Sequence, residues 1–132
     1  MVSDKLPLKL REYIGEEIVL ALPVYADRRT KYYPEICAKE KWWLITTPYR
    51  TALYRNATRK KHIMMIPIYD AEHRNPVYLN RSWFYYEILK FPDPTERKRV
   101  YVFYLSKEYQ VQEEEIYRIT GLWRRDKKKW NR

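Results

Sequence analysis

The chain has 132 residues, 45% of them hydrophobic and 33% charged, which is one domain's length with apolar material for one modest core and excludes disorder throughout. The single Cys37 excludes an internal disulfide framework and a cysteine-rich zinc site, and no apolar run approaches the ~18 residues of a membrane-spanning helix. Lys and Arg number 27 against 17 acids, a net charge of +10, so a polyanion is the expected partner, bound by charge neutralisation and counterion release.

The first predicted element is a helix over residues 8–22, with Leu10, Ile14, Ile18 and Ala21 on one face. Residues 1–35 as a whole are set apart as an extended N-terminal region, and MVSDKLPLKLREY, lacking an apolar secretory core, predicts no signal peptide. Thr47-Pro48 opens a second helix, PYRTALYRNATRKKHIMM, since Pro suits the first helical position. Tyr49, Leu53, Ala57 and Met64 share one of its faces. Asn75-Pro76 opens a third, PVYLNRSWFYYEILKF, lined by Val77, Phe84, Ile88 and Phe91. Asp93-Pro94-Thr95-Glu96 has the spacing of a capping box. Leu105, Tyr109, Gln112, Ile116, Ile119 and Trp123 then recur at steps of four and three. Ser106 would cap this last helix, with Glu113 to Glu115 in its first half and Arg124 and Arg125 after its end, the order the helix dipole prefers.

Gly occurs only twice, and no Asn-Gly or Asp-Gly pair exists to make tight hairpins. Gly15 and Gly121 both sit inside segments that read as helical. The expected fold is therefore mainly α: a small helical bundle with basic extensions, one domain over 1–132, ending in a basic tail at 124–132. The alternative is a compact α+β fold. It is kept open by 63–69 and 100–105, which are β-branched and aromatic, and by the ambiguous 17–25. Pro67 would confine the first of these to a sheet edge.

The basic residues cluster. Arg28, Arg29 and Lys31 form one group; Arg50, Arg55, Arg59, Lys60 and Lys61 another; Arg97, Lys98 and Arg99 a third. The tail adds Arg124, Arg125, Lys127, Lys128, Lys129 and Arg132, with Trp130 among them. These Arg and Lys would contact phosphates, which position a nucleic acid without reading it. Their dispersal fits wrapping better than one recognition helix in a groove. The aromatics also exceed what a small core needs. Trp83, Phe84, Tyr85 and Tyr86 cover successive helical faces, and adjacent Trp42 and Trp43 point to different faces. They are candidates for a subunit interface, where Tyr and Trp are enriched, or for the rim of an ordinary core.

Catalytic signatures are absent from the sequence: no Gly-rich phosphate loop, no nucleophile elbow and no HExxH. No catalytic residue, metal or cofactor is expected. His62 and His73 share no motif, and Cys37 reads as a small buried hydrophobe. Asp70, Glu72 and His73 form a local DAEH cluster. A magnesium nuclease would need two or three carboxylates converging on the ion; a polar turn ahead of Asn75-Pro76 is the simpler account.

A basic chain of this length, with Pro-started helices at Thr47-Pro48 to Lys61 and Asn75-Pro76 to Phe91, a striped segment from Ser106 to Trp123 and aromatics left over for neighbours, resembles the major coat proteins of filamentous archaeal viruses, of the lipothrixvirus and rudivirus kind. The likeness is one of plan and contains no diagnostic motif. It implies a helical-bundle core with basic segments wrapping double-stranded DNA inside a virion. The expected function is thus a structural protein, not an enzyme, that coats or packages duplex DNA through sequence-independent phosphate contacts and self-assembles, in a virion or host cytoplasm. The alternatives are a small DNA-binding transcriptional regulator and a small magnesium-dependent nuclease.

Overall fold

In the computed structural model the described residues are 2–27, 40–57, 62–73, 77–81, 87–92, 100–105, 109 and 113–124. Strands dominate them. In chain order the elements are α1 (Leu8–Ile14), β1 (Leu20–Ala26), β2 (Lys41–Thr46), β3 (Thr51–Ala57), β4 (His62–Tyr69), β5 (Tyr78–Arg81), β6 (Glu87–Pro92), β7 (Val100–Leu105), α2 (Glu113–Thr120) and β8 (Trp123–Arg124). One sheet joins the strands in the order β4-β3-β2-β1-β7-β6-β5-β8. Its pairs are antiparallel except β5 with β8. The five strands from β4 to β7 curl into a half-barrel.

The mainly α helical bundle is therefore corrected to a mostly β fold with two short helices. Burial on both faces of the sheet explains the misreading. Leu20, Leu22, Val24 and Ala26 pack in one cluster with Trp42, Leu44, Leu53 and Phe103. The intervening Ala21, Trp43, Ile45, Ala52 and Tyr54 pack in a second, under Leu6 and Leu10. Strands covered on both sides read as near-continuous apolar runs and lose the alternation that marks a half-exposed strand. The stripe of Leu10, Ile14, Ile18 and Ala21 does come together in that second cluster. Yet only Leu10 and Ile14 are helical, because Gly15 adopts φ 63° and donates its N–H to the Arg11 carbonyl at 3.1 Å. That is a left-handed helix stop, which favours glycine.

The other segments depart from the helical expectation in similar ways. Thr47-Pro48 makes a hairpin turn without glycine: Thr47 N–H donates to the Arg50 carbonyl at 2.9 Å, and Tyr49 N–H donates to Thr47 Oγ1 at 3.2 Å. β3 follows at once. The third expected helix contributes strands β5 and β6, and Leu105 of the last stripe belongs to β7. Only α2 survives of that stripe, stopped by Gly121 at φ 70° with its N–H on the Tyr117 carbonyl. Among their described residues, the segments 47–61 and 75–91 named for the viral coat resemblance form strands, and 106–123 holds the short helix α2 and the start of β8. The described part of residues 1–35 contributes α1 and β1.

The larger core lies on the face of the sheet that carries Trp42, Leu44 and Phe103. Trp42 meets Phe103 edge-on at 5.8 Å, and Ile116 of α2 joins them in the buried cluster. Full burial of such side chains stabilises by about 1.5–3 kcal/mol each. Hydrogen bonds anchor the end of α2: Thr51 Oγ1 donates to the Thr120 carbonyl at 3.0 Å, and Thr120 Oγ1 donates to the Ile116 carbonyl at 2.7 Å.

Candidate nucleic-acid interface

Antiparallel pairing decides where the chain leaves and re-enters the sheet. Tyr25 at the end of β1 is opposite Lys41 at the start of β2, Ala57 is opposite His62, and Pro92 is opposite Val100. Ala26 is opposite Phe103, so β6 and β7 run about three residues, or roughly 10 Å, past the end of β1. The connections 27–40, 58–61 and 93–99 therefore all attach at the same end of the strands. Their sequences hold ten bases, among them Arg28, Arg29, Arg59, Lys60, Lys61 and Arg97 to Arg99, against five acids. The connections that leave from the opposite strand ends, 47–50, 70–77, 82–86 and 106–112, hold three bases, Arg50, Arg74 and Lys107, and three acids, Asp70, Glu72 and Glu108, and the segment 125–132 after β8 holds five further bases. The described residues as a whole contain ten bases and twelve acids, so the positive surplus lies entirely outside them.

Of the bases expected to meet phosphates, two are engaged within the chain. Arg50 lies at the opposite end, in the β2–β3 turn, 3.1 Å from Glu16 Oε1. Burial pushes the neighbouring Tyr54 hydroxyl's pKa above its ordinary value, and the Arg50 charge opposes that rise. Arg55, on β3, forms an ion pair with Glu40, which immediately precedes β2. Arg124 lies in β8, opposite Leu79 of β5. Arg28, Arg29, Arg59, Lys60, Lys61, Arg125, Lys127, Lys128 and Lys129 lie outside the described residues, as do Trp83, Phe84, Tyr85 and Tyr86. Trp42 and Trp43 do point to opposite faces, but both are interior, at 0% and 3% exposure. They belong to the two cores of the chain's own sheet.

A group that the sequence reading missed lies beside the basic end. Lys41, Tyr25 and Tyr104 are successive neighbours across β2, β1 and β7. They share the sheet face that bears α1, beyond the part which α1 covers. The Tyr25 and Tyr104 rings stack at 5.5 Å with 24° between their planes, and both are half-buried. Lys41 is exposed, with Nζ 5.3 Å from the centre of the Trp43 ring. β1 and β7 are nearly eighty residues apart, and no local pattern signals that pairing.

The DAEH segment is a turn. Asp70 Oδ1 accepts the backbone N–H of Glu72 at 2.7 Å and of His73 at 2.6 Å, and His73 Nδ1 lies 3.2 Å away. These contacts, the His73 N–H foremost, hold the Asp70 pKa below its ordinary value. Glu72 points to solvent. Among the described residues no group of three or more His, Cys, Asp or Glu could hold a metal ion, and no helix is long and apolar enough to cross a membrane. No protein-family model, curated protein or solved structure matches this chain.

Proposed function

We propose that the protein binds nucleic acid through phosphate contacts made by the basic connections at one end of its sheet, without reading base sequence. The observation that carries this reading is the topology: three separate connections holding ten bases attach at one end of the strands, while the described framework is slightly acidic. Charge concentrated there would repel itself in isolation and be relieved by a chain of phosphates. Arg and Lys on several connections suit backbone contacts, which fix position and carry no base identity. A coating or packaging role follows more naturally than recognition of one site. The regulator alternative requires a basic helix for a groove. Of the two described helices, α1 has seven residues and α2 begins with three glutamates.

Affinity for a duplex and for a single strand of equal length, measured across salt concentrations, tests this. If ~6–10 phosphates are neutralised, duplex affinity falls by roughly 10³–10⁵ between 50 and 200 mM salt. Two unrelated sequences should behave alike. Affinity that ignores salt, or that belongs to one sequence alone, would refute the reading.

A further inference from the structure

We infer that a cleft beside the start of β1 binds a free α-amino acid with an apolar side chain, a function separate from nucleic-acid binding and not resting on it. The cleft has a volume of about 390 Å³ and is lined by Val2, Asp4, Arg11, Glu16 and Ile18. That size falls at the lower end of small-molecule sites, which run from about 300 to 1,000 Å³. It lies at the end of the sheet away from the basic connections, because β1 begins there and the connection 27–40 leaves from its other end.

Short-range features of the chain build the cleft. The segment before α1 is fixed to β1: Val2 bridges Ala21, and Ser3 N–H donates to the Ala21 carbonyl at 3.1 Å. The left-handed Gly15 ends α1, and the chain returns so that Glu16 and Ile18 share a lining with Arg11, Val2 and Asp4. Val19 N–H then donates to the Thr46 carbonyl at 2.9 Å, which ties the returning chain to the sheet. Ile18 also packs against the second core, so part of the cleft wall is continuous with the folded interior.

The charges in the lining select the ligand. Glu16 Oε1 is held by Arg50 at 3.1 Å. Its second oxygen, Oε2, is buried and accepts no hydrogen bond among the described residues, and a buried acceptor in that condition is costly unless a donor meets it. Asp4 and Arg11 are exposed and form no ion pair among the described residues. Arg11 thus shares a cleft with two carboxylates and is paired to neither. A bare cation would meet the Arg11 guanidinium, and a bare anion would meet Asp4 and Glu16. A ligand carrying both charges satisfies the whole set. Its ammonium donates to the carboxylates, and its carboxylate accepts from the guanidinium fork. Val2 and Ile18 supply apolar surface for its side chain.

The test uses the full chain, isotope-labelled for nuclear magnetic resonance, and three probes. These are L-leucine, leucinamide, which lacks the carboxylate, and isocaproate, which lacks the ammonium. Leucine should shift the backbone amide signals of Asp4, Arg11, Glu16 and Ile18 in a saturable way. Leucinamide and isocaproate should each bind about tenfold or more weakly, since each loses a charge-assisted contact. Arg11→Gln should lower leucine affinity to that of leucinamide and leave leucinamide binding unchanged. Asp4→Asn should weaken leucine and leucinamide alike. Both side chains are exposed and outside any described ion pair, so both variants keep the fold. Three results would overturn the inference: cleft signals that do not move with leucine, leucinamide or isocaproate binding as tightly as leucine, or an Arg11→Gln protein with wild-type leucine affinity. None of these outcomes bears on phosphate binding, which the salt titrations test separately.

Discussion

Arg55 on β3 is ion-paired with Glu40 at the threshold of β2, and only 29% and 10% of the two side chains are exposed. The pair joins one side of the 27–40 connection to the strand beyond β2. A base that composition assigns to phosphate therefore acts inside the fold. Arg55→Ala would leave the largely buried Glu40 carboxylate without its guanidinium. We expect a loss of about 1–3 kcal/mol in stability, read from urea melts, with no change in the salt dependence of nucleic-acid binding. The double variant Arg55→Ala with Glu40→Ala should cost less than the sum of the two single losses, since both remove the same ion pair. A flattened salt slope in the Arg55 variant would reassign this residue to the nucleic-acid surface.

Asp70 should make stability depend on acid. Its folded pKa lies below the ordinary 3.8, chiefly through the His73 N–H. A depressed carboxylate pKa contributes stability that is present above the unfolded value and lost as pH falls through the folded one. The Asp70 contribution is therefore full near neutrality and disappears below about pH 4. Asp70→Ala should destabilise the protein at neutral pH and differ less from the wild type in acid. Asp70→Asn keeps an acceptor oxygen and should fall between them. Melting curves of the three proteins across pH decide it; a gap between wild type and Ala variant that is constant with pH would remove Asp70 from the account.

The end of α2 offers a separate test of the fold. Ile116 is 2% exposed in the larger core, and Ile116→Ala should cost about 2–5 kcal/mol. Gly121 has φ 70°, and no neighbour lies within 4 Å of where a Cβ would stand. Gly121→Ala should therefore cost only the left-handed backbone penalty, about 1–2 kcal/mol. Gly121→Asn, better tolerated in that conformation, should cost less. A Gly121→Ala protein that melts at or above the wild-type temperature would contradict the helix stop.

Charge was the most legible property of the chain, because basic clusters are visible without knowing the fold. The proximity of Leu10, Ile14, Ile18 and Ala21 was legible too, although Gly15 divides them between a helix and a strand. Two physical facts hid the sheet. Its central strands are covered on both faces, so Trp42-Trp43-Leu44-Ile45 shows no alternation. Its Thr47–Arg50 hairpin uses Pro48 and the Thr47 hydroxyl in place of a glycine turn. The aromatic row was illegible for another reason: Tyr25 and Tyr104 meet only through a pairing between strands far apart in sequence.

The salt dependence of binding, compared between variants at the two ends of the sheet, tests the central claim most directly. Arg59→Gln, Lys60→Gln and Lys61→Gln together neutralise the shortest basic connection, and Arg50→Gln removes a base from the opposite end. Each phosphate-contacting base lost should flatten the slope by about one unit. We predict a slope reduced by up to about three units in the triple variant and unchanged in Arg50→Gln. A triple variant with the wild-type slope, or an equal reduction from Arg50→Gln, would contradict the assignment of nucleic-acid binding to this end.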